Sequence, residues 1–492
     1  MTYNEQEWEN RPSTRTPLSA ARLLHMEGGI KSAHDRLDGL LGPEDELSVD
    51  AVADMSEIGR DIARAENALS VRELIGVDLD PYPETRIMTF ANGGMGQTVA
   101  ADLAAATEHG IRIPVKLFAP TLRWRLKLRN YGMTAAAYNP LTCKGIIRGV
   151  HSSGGNFAGG AASTIVPGDV TIPGNGNYYY SPWITDPALQ FDKGVEYLIG
   201  IGFTLASQAM KTTIGQCWRW TTAAAALNPA TTGGTVPTGI PLDFQIEYEV
   251  ATDTHDSAWL VIADSILEGV TGPQGTAVSN VVPQPIHTSP PQRWAEANNI
   301  LVQNISMAGI TAALFGQPAT YPEFWTRQDM VQSQLDGILI SLGSNDASSS
   351  RTLAQFQADM TAIVQKVRAL VGYEAPLYLG TVMPRNALTT AQNNLRIAYN
   401  DWIKSLPLGA AGFVDFDQVM RSGGTSTTAL QPAYTNDNIH PSYEGQAVLA
   451  QKMASIPTIV TRRKRDSYER MTQAEYDALT LRDPNKLYLI KG

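Results

Sequence analysis

The 492-residue chain has two cysteines, Cys143 and Cys217, which is too few for a paired-CxxC zinc site or a disulfide framework. One bridge between them is left open by the sequence. Its 7 histidines are scattered, with no HExxH or His-x-His cluster, so no metal site is visible. Basic residues are in deficit. Lys plus Arg is 38 against 48 for Asp plus Glu, a net charge of −10. A chain that coats nucleic acid needs a basic field, so that partner is excluded. No apolar run approaches the roughly 18 residues that cross a bilayer. The opening MTYNEQEWENRP is polar and acidic, unlike a secretory signal.

What is present is a globular composition, 43% hydrophobic and 17% charged. Gly (42) and Pro (29) are frequent, as in turn-rich β structure. Four regions are expected. Residues 1–83 read as a helical arm. Thr16-Pro17 supplies an N-cap and first turn, and a second helical stretch runs over 48–75. Such an arm is too thin to bury a core alone and is expected to dock on a partner or on its own copies.

Residues 84–250 read as a β-sandwich. In LRWRLKLR, Leu122, Trp124, Leu126 and Leu128 alternate with Arg123, Arg125, Lys127 and Arg129. The alternation predicts an apolar inner face and a solvated basic outer face. Val195 to Phe203 and Phe244 to Val250 repeat the period. The aromatic run at Tyr178, Tyr179, Tyr180 and Trp183 reads as loop rings that pack inward or on another subunit.

Residues 251–460 change period. Short apolar runs at 259–263, 300–303, 337–342, 377–382 and 412–415 alternate with helical spacings such as Leu353, Phe356, Met360, Ile363 and Val367. This predicts a parallel sheet with helices on both faces. Active sites in such sheets lie at the carboxyl ends of the strands. The strand ends here carry Asp264-Ser265, then NISMAG reaching Gly309, then Gly343-Ser344-Asn345-Asp346. Asp437-Asn438-Ile439-His440 follows the last strand. These are the parts that acyl transfer needs. A serine hydroxyl needs a base, His440, and the base needs an orienting carboxylate, Asp437. A developing oxyanion needs fixed donors: the amides of Ser265 and Gly309 and the side chain of Asn345. Asp264 and Asp346 are read as loop-bracing neighbours.

The order of these blocks resembles the SGNH (GDSL-type) hydrolases. GSND and DNIHP match the family's third and last blocks, and ADSILEG resembles the first, with Ala263 where the family has glycine. The resemblance implies a flavodoxin-like α/β/α domain, a serine nucleophile and no cofactor or metal. The β region is similar to a jelly-roll-like module that precedes some SGNH domains.

The segment TPLSAARLLHMEGGI and the tail MTQAEYDALTLRDPNKLYLI within 461–492 resemble segments of bacteriophage virion proteins. They imply a tail or fibre protein, homo-oligomeric as such fibres are, commonly as trimers, that meets other virion proteins through 1–83 and 461–492. Its substrate would then be an acyl ester on a host surface polysaccharide or glycolipid. Two rivals stand beside this expectation: an adhesive virion protein whose hydrolase fold is vestigial, and a free bacterial carbohydrate esterase.

Overall fold

The computed structural model describes residues 85–458, apart from internal stretches of which 272–283 and 316–334 are the longest, and two strands at 468–472 and 487–491. The helices expected within 1–83 lie outside the described residues.

The first part comprises β1 (Thr85–Ala91), β2 (Thr107–Lys116), β3 (Arg123–Arg129), β4 (Leu141–Ser153), β5 (Tyr179–Tyr180), β6 (Glu196–Leu205), β7 (Trp218–Trp220), helix α1 (Ala223–Leu227) and β8 (Asp243–Ala251). They form two antiparallel sheets, β1-β8-β3-β5 and β7-β2-β6-β4, resembling a β-sandwich. Phe191 links them. Its ring meets Trp124 of β3 edge-on at 4.9 Å and Tyr197 of β6 at 5.1 Å. On the second sheet, glycines make room for α1. A Cβ at Gly110 would lie 2.3 Å from Ala226 Cβ, and one at Gly202 would lie 2.8 Å from Leu227. Arg112, fully buried on β2, ties the helix and its exit loop down. It donates to the carbonyls of Ala225, Ala226, Asn228 and Thr231, and to that of Gly155.

The basic face of β3 is not solvated as its alternation predicts. Three of its four cations face a carboxylate across the strand pair, Arg123 facing Glu249, Arg125 facing Glu247 and Arg129 facing Asp243, while Lys127 faces Gln245 and reaches Glu247 at 3.7 Å. The Arg129 and Asp243 side chains are both fully buried. Trp183, Tyr180 and Tyr178 stack over these cations, with Arg129 only 4.1 Å from the Tyr178 ring centre. The aromatic loop therefore covers the outer face instead of turning inward. Leu122 precedes the strand and is 49% exposed. Cys143 and Cys217 are buried and not joined in a disulfide, and burial pushes the Cys143 thiol up to about 11.

The second part comprises β9 (Ala258–Ala263), α2 (Ser265–Glu268), α3 (Pro290–Ala297), β10 (Leu301–Asn304), β11 (Gly337–Ser341), α4 (Ser344–Ser348), α5 (Leu353–Val371), β12 (Leu377–Gly380), α6 (Thr390–Lys404), β13 (Gly412–Val414), α7 (Phe416–Met420) and α8 (Tyr443–Met453). Its five strands are parallel, in the order β10-β9-β11-β12-β13. That is the flavodoxin-like order, in which the chain reverses direction beside the first strand. Every residue of β9 is buried. Gly337 opens space for Trp259, since a Cβ there would lie 2.4 Å from the indole. Phe356 of α5 stacks on Tyr399 of α6 at 4.1 Å. Among the described residues, no helix is long and apolar enough to cross a membrane. Strands β14 (Tyr468–Thr472) and β15 (Leu487–Lys491) pair in parallel.

Two carboxylates join the two parts. Asp336 receives Arg86 of β1 at 2.9 Å and the Ala258 amide of β9 at 2.8 Å through the same oxygen. Glu196 of β6 meets His151 of β4 and, at 2.7 Å, His287. Burial alone would raise the Glu196 carboxyl, but the two imidazoles outweigh it and hold it at about 2. The folded protein therefore binds this proton less readily than the unfolded chain does. The stabilisation is complete above the ordinary carboxylate range and is lost as pH falls from 4.5 to about 2. Glu196→Gln is expected to lower Tm at pH 7 by about 2–4 °C. The gap to the unsubstituted protein should close across that acid window. Thermal melts against pH check this, and a gap that stays constant down to pH 2 would count against it.

Candidate active site

Ser265 is the first residue after the cap of α2, directly beyond β9. Asp264 supplies the cap. Its side chain accepts the Ile266 amide at 3.0 Å, and its carbonyl accepts the Glu268 amide at 3.0 Å. The turn closes at Gly269, whose φ of +105° suits glycine alone among common residues. The serine is thus presented on a short, braced turn at the carboxyl edge of the sheet.

His440 reaches this edge from the loop before α8, and its Nε2 lies 3.0 Å from Ser265 Oγ. Its Nδ1 lies 2.7 Å from Asp437 Oδ2. A carboxylate only accepts, so Nδ1 carries the hydrogen and the Nε2 lone pair faces the serine. The other Asp437 oxygen accepts the amides of Ile439 at 2.9 Å and His440 at 2.7 Å. Burial alone would raise the Asp437 carboxyl, but the His440 ring and these amides outweigh it and hold it at about 2. The loop is braced again by Thr435, whose hydroxyl donates to the His440 carbonyl at 2.8 Å.

Asn345 stands at the start of α4, beyond β11. Its Nδ2 donates to the Ile310 carbonyl at 2.9 Å, which uses one of its two hydrogens. Gly309, one residue earlier, is exposed with φ +78°. Its amide makes no hydrogen bond among the described residues. Asn345 is thus tied to the residue that follows Gly309. Asp346 lies behind them and accepts the Ala312 amide with both oxygens at 3.0 Å. Burial pushes the Asp264 and Asp346 carboxyls up to about 6 each.

Sequence reasoning passed over Arg385. It sits in the loop after β12, and its Nη1 donates to Asn345 Oδ1 at 3.3 Å. The available signal was position, since it follows a strand of the parallel sheet at the edge where active sites form. Among the described residues, no group of three or more His, Cys, Asp or Glu side chains is placed to hold a metal ion.

Comparison with known proteins agrees with the fold and with the class of site. Residues 264–448 match the GDSL-like Lipase/Acylhydrolase family, so this part of the chain is a GDSL/SGNH-type hydrolase domain. Residues 470–491 match the phage tail tip domain. No curated protein matches the chain. Among solved structures, the chain is similar to the family two carbohydrate esterase of Clostridium thermocellum, at 15% identity and TM-score 0.36, over 75% of this chain and 97% of that one. It is similar to the family two carbohydrate esterase of Cellvibrio japonicus, at 12% identity and TM-score 0.35, over 75% and 97% of the two chains. It is also similar to a GDSL-like lipase from Bacteroides thetaiotaomicron, at 18% identity and TM-score 0.30, over 41% and 87%.

Ala263, where the resemblance has glycine, ends β9 fully buried and with no positive φ. An alanine is accommodated there without strain. Ala263→Gly is expected to leave kcat/KM within about twofold and to lower stability by about 0.5–1 kcal/mol, the usual cost of a glycine in a strand. Steady-state kinetics with denaturant melts check this. A tenfold gain in activity would show that the alanine does distort the serine turn.

Proposed function

We propose that the chain is a serine carboxylic-ester hydrolase. One observation carries the reading: the continuous contact from Ser265 Oγ through His440 to Asp437, with spacings of 3.0 and 2.7 Å, inside the matched hydrolase domain. In this mechanism Ser265 Oγ attacks the ester carbonyl carbon as its proton passes to His440 Nε2. Asp437 keeps the ring in its working tautomer and stabilises the imidazolium. The carbonyl oxygen becomes an oxyanion facing the amides of Ser265 and Gly309 and the second Nδ2 hydrogen of Asn345. Collapse breaks the C–O bond, and the departing alcohol takes the proton from His440. Water then gives a proton to His440 and attacks the acyl-serine. The acid leaves and the proton returns to Ser265.

The substrate we assign is an acyl ester on a carbohydrate, with O-acetyl as the simplest case. For the setting, a free-standing carbohydrate esterase is the better-supported reading, because the family match over 264–448 requires no particle. A virion enzyme acting on a host surface glycan is the second reading, favoured by the tail-tip match over 470–491.

Hydrolysis of p-nitrophenyl acetate by the full chain tests the activity. Ser265→Ala is expected to lose about 10⁴–10⁶-fold in kcat and all labelling by a fluorophosphonate. Asp437→Asn is expected to lose about 10⁴-fold through the wrong histidine tautomer. A folded wild type that neither turns over nor labels would leave an adhesive protein with a vestigial site.

A further inference from the structure

We infer that Arg385 makes the site selective for esters whose alcohol portion carries an anionic oxygen group, the carboxylate of an acidic sugar being the plainest case in a glycan. The inference rests on the esterase reading and extends it to the substrate class.

The first observation is placement. The loop bearing Arg385 is fastened on both sides. Arg385 Nη1 donates to Asn345 Oδ1 at 3.3 Å. The next residue's amide, Asn386 N, donates to the Asn438 carbonyl at 3.1 Å, inside the turn that carries Asp437 and His440. The Asn386 side chain also accepts the Leu430 amide at 3.3 Å. The guanidinium is therefore held beside Asn345, on a loop fastened to the turn that carries the base.

The second observation is the lack of a counter-charge. In the same domain, Arg351 meets Asp359, and Arg396 and Arg421 both meet Asp417. Arg385 makes no ion pair with any described residue. Its one bond goes to a neutral amide oxygen at the long end of the hydrogen-bond range, and its Nε is buried without a partner. A half-buried cation left this way has shed water without gaining an anion, which is unfavourable unless a ligand supplies one. The buried Asp264 feels the Arg385 charge, but the two side chains form no hydrogen bond or ion pair among the described residues, so the remaining guanidinium donors are left for a ligand. A planar guanidinium suits a carboxylate better than an ammonium does, because it can meet both oxygens at once.

A different use of the same bond is to brace Asn345. The two uses differ kinetically. Bracing acts on the transition state of every ester, through kcat, whereas charge recognition acts on anionic esters, through KM.

The test measures acetate release from mono-O-acetylated methyl glucuronoside and from its neutral 6-amide. Wild type is expected to favour the anionic substrate by about 10–100-fold in kcat/KM, mainly through KM. In Arg385→Gln the preference should fall to about one. Arg385→Lys should keep part of it, and Arg385→Glu should reverse it. Circular dichroism and melting temperature report folding, and the lysine variant keeps the test informative if the other two fold poorly. Two results overturn the inference. One is a wild type that turns over both substrates equally. The other is an Arg385→Gln variant that loses kcat in parallel on both, which marks bracing. If wild type releases no acetate and Ser265 resists a fluorophosphonate, the esterase reading itself has failed and the inference falls with it. Labelling at Ser265 without selectivity removes the inference alone.

Discussion

The carboxylate of Asp437 is the constraint on which the site depends. One of its oxygens accepts the amides of Ile439 and His440 and so closes the turn, while the other holds the His440 ring by Nδ1. A single charged group thus sets both the path of the backbone and the aim of the imidazole. It stays ionised because the hydrogen bonds it accepts outweigh its burial. The serine is held by an equivalent device, in which Asp264 caps the turn and Gly269 ends it. Two short loops far apart in sequence therefore meet with little freedom left to lose, which is the condition for fast proton transfer between them.

The sandwich is fastened to the second part at two places. Asp336 precedes β11 and Ala258 begins β9, so the buried Arg86 contact lies at the amino edge of the parallel sheet. Ser265 lies beyond the opposite edge. Buried ion pairs add little net stability over apolar packing, because desolvation offsets most of the attraction. Their better-attested effect is to penalise misplacement. Sliding β1 by one residue would strand Arg86 and Asp336 unpaired, at a cost of about 3–5 kcal/mol. The carboxylates of β8 act in the same way on β3, each opposite its own cation.

What the sequence made legible follows from which residues report on their surroundings. Runs such as Ala258–Ala263 are buried on both faces and bounded by turns, and the expected strands of the parallel sheet end within about two residues of those observed. The four sequence blocks that suggested the site sit at one sheet edge, and three of their side chains form one chain of contacts. Strands β2 and β4 were not legible. They are buried on both sides, so they do not alternate, and they contain Pro114, Arg112, Gly145 and Arg148, which elsewhere signal loops or surface. The β3 alternation was legible, but its environment was not, because the carboxylates that neutralise it belong to β8. Arg385 was invisible for a related reason. A lone arginine in a loop means nothing until the fold shows that it makes no ion pair among the described residues.

An acidic chain that selects an acidic substrate has its net charge of −10 working against it. The two effects act over different distances. Repulsion between exposed charges is largely screened beyond a Debye length of about 8 Å at physiological ionic strength. A half-buried guanidinium touching a carboxylate is screened much less, because the surrounding protein excludes both water and salt. Long-range repulsion therefore slows encounter modestly, and the local contact decides which bound ester stays. The same positive charge stands beside Asn345, the proposed oxyanion donor. Asn345 is neutral, and its Nδ2 is aimed by the bond to the Ile310 carbonyl, which does not depend on the substrate being charged. In the proposed mechanism Ser265 and His440 break the ester bond, and Arg385 acts on which ester arrives.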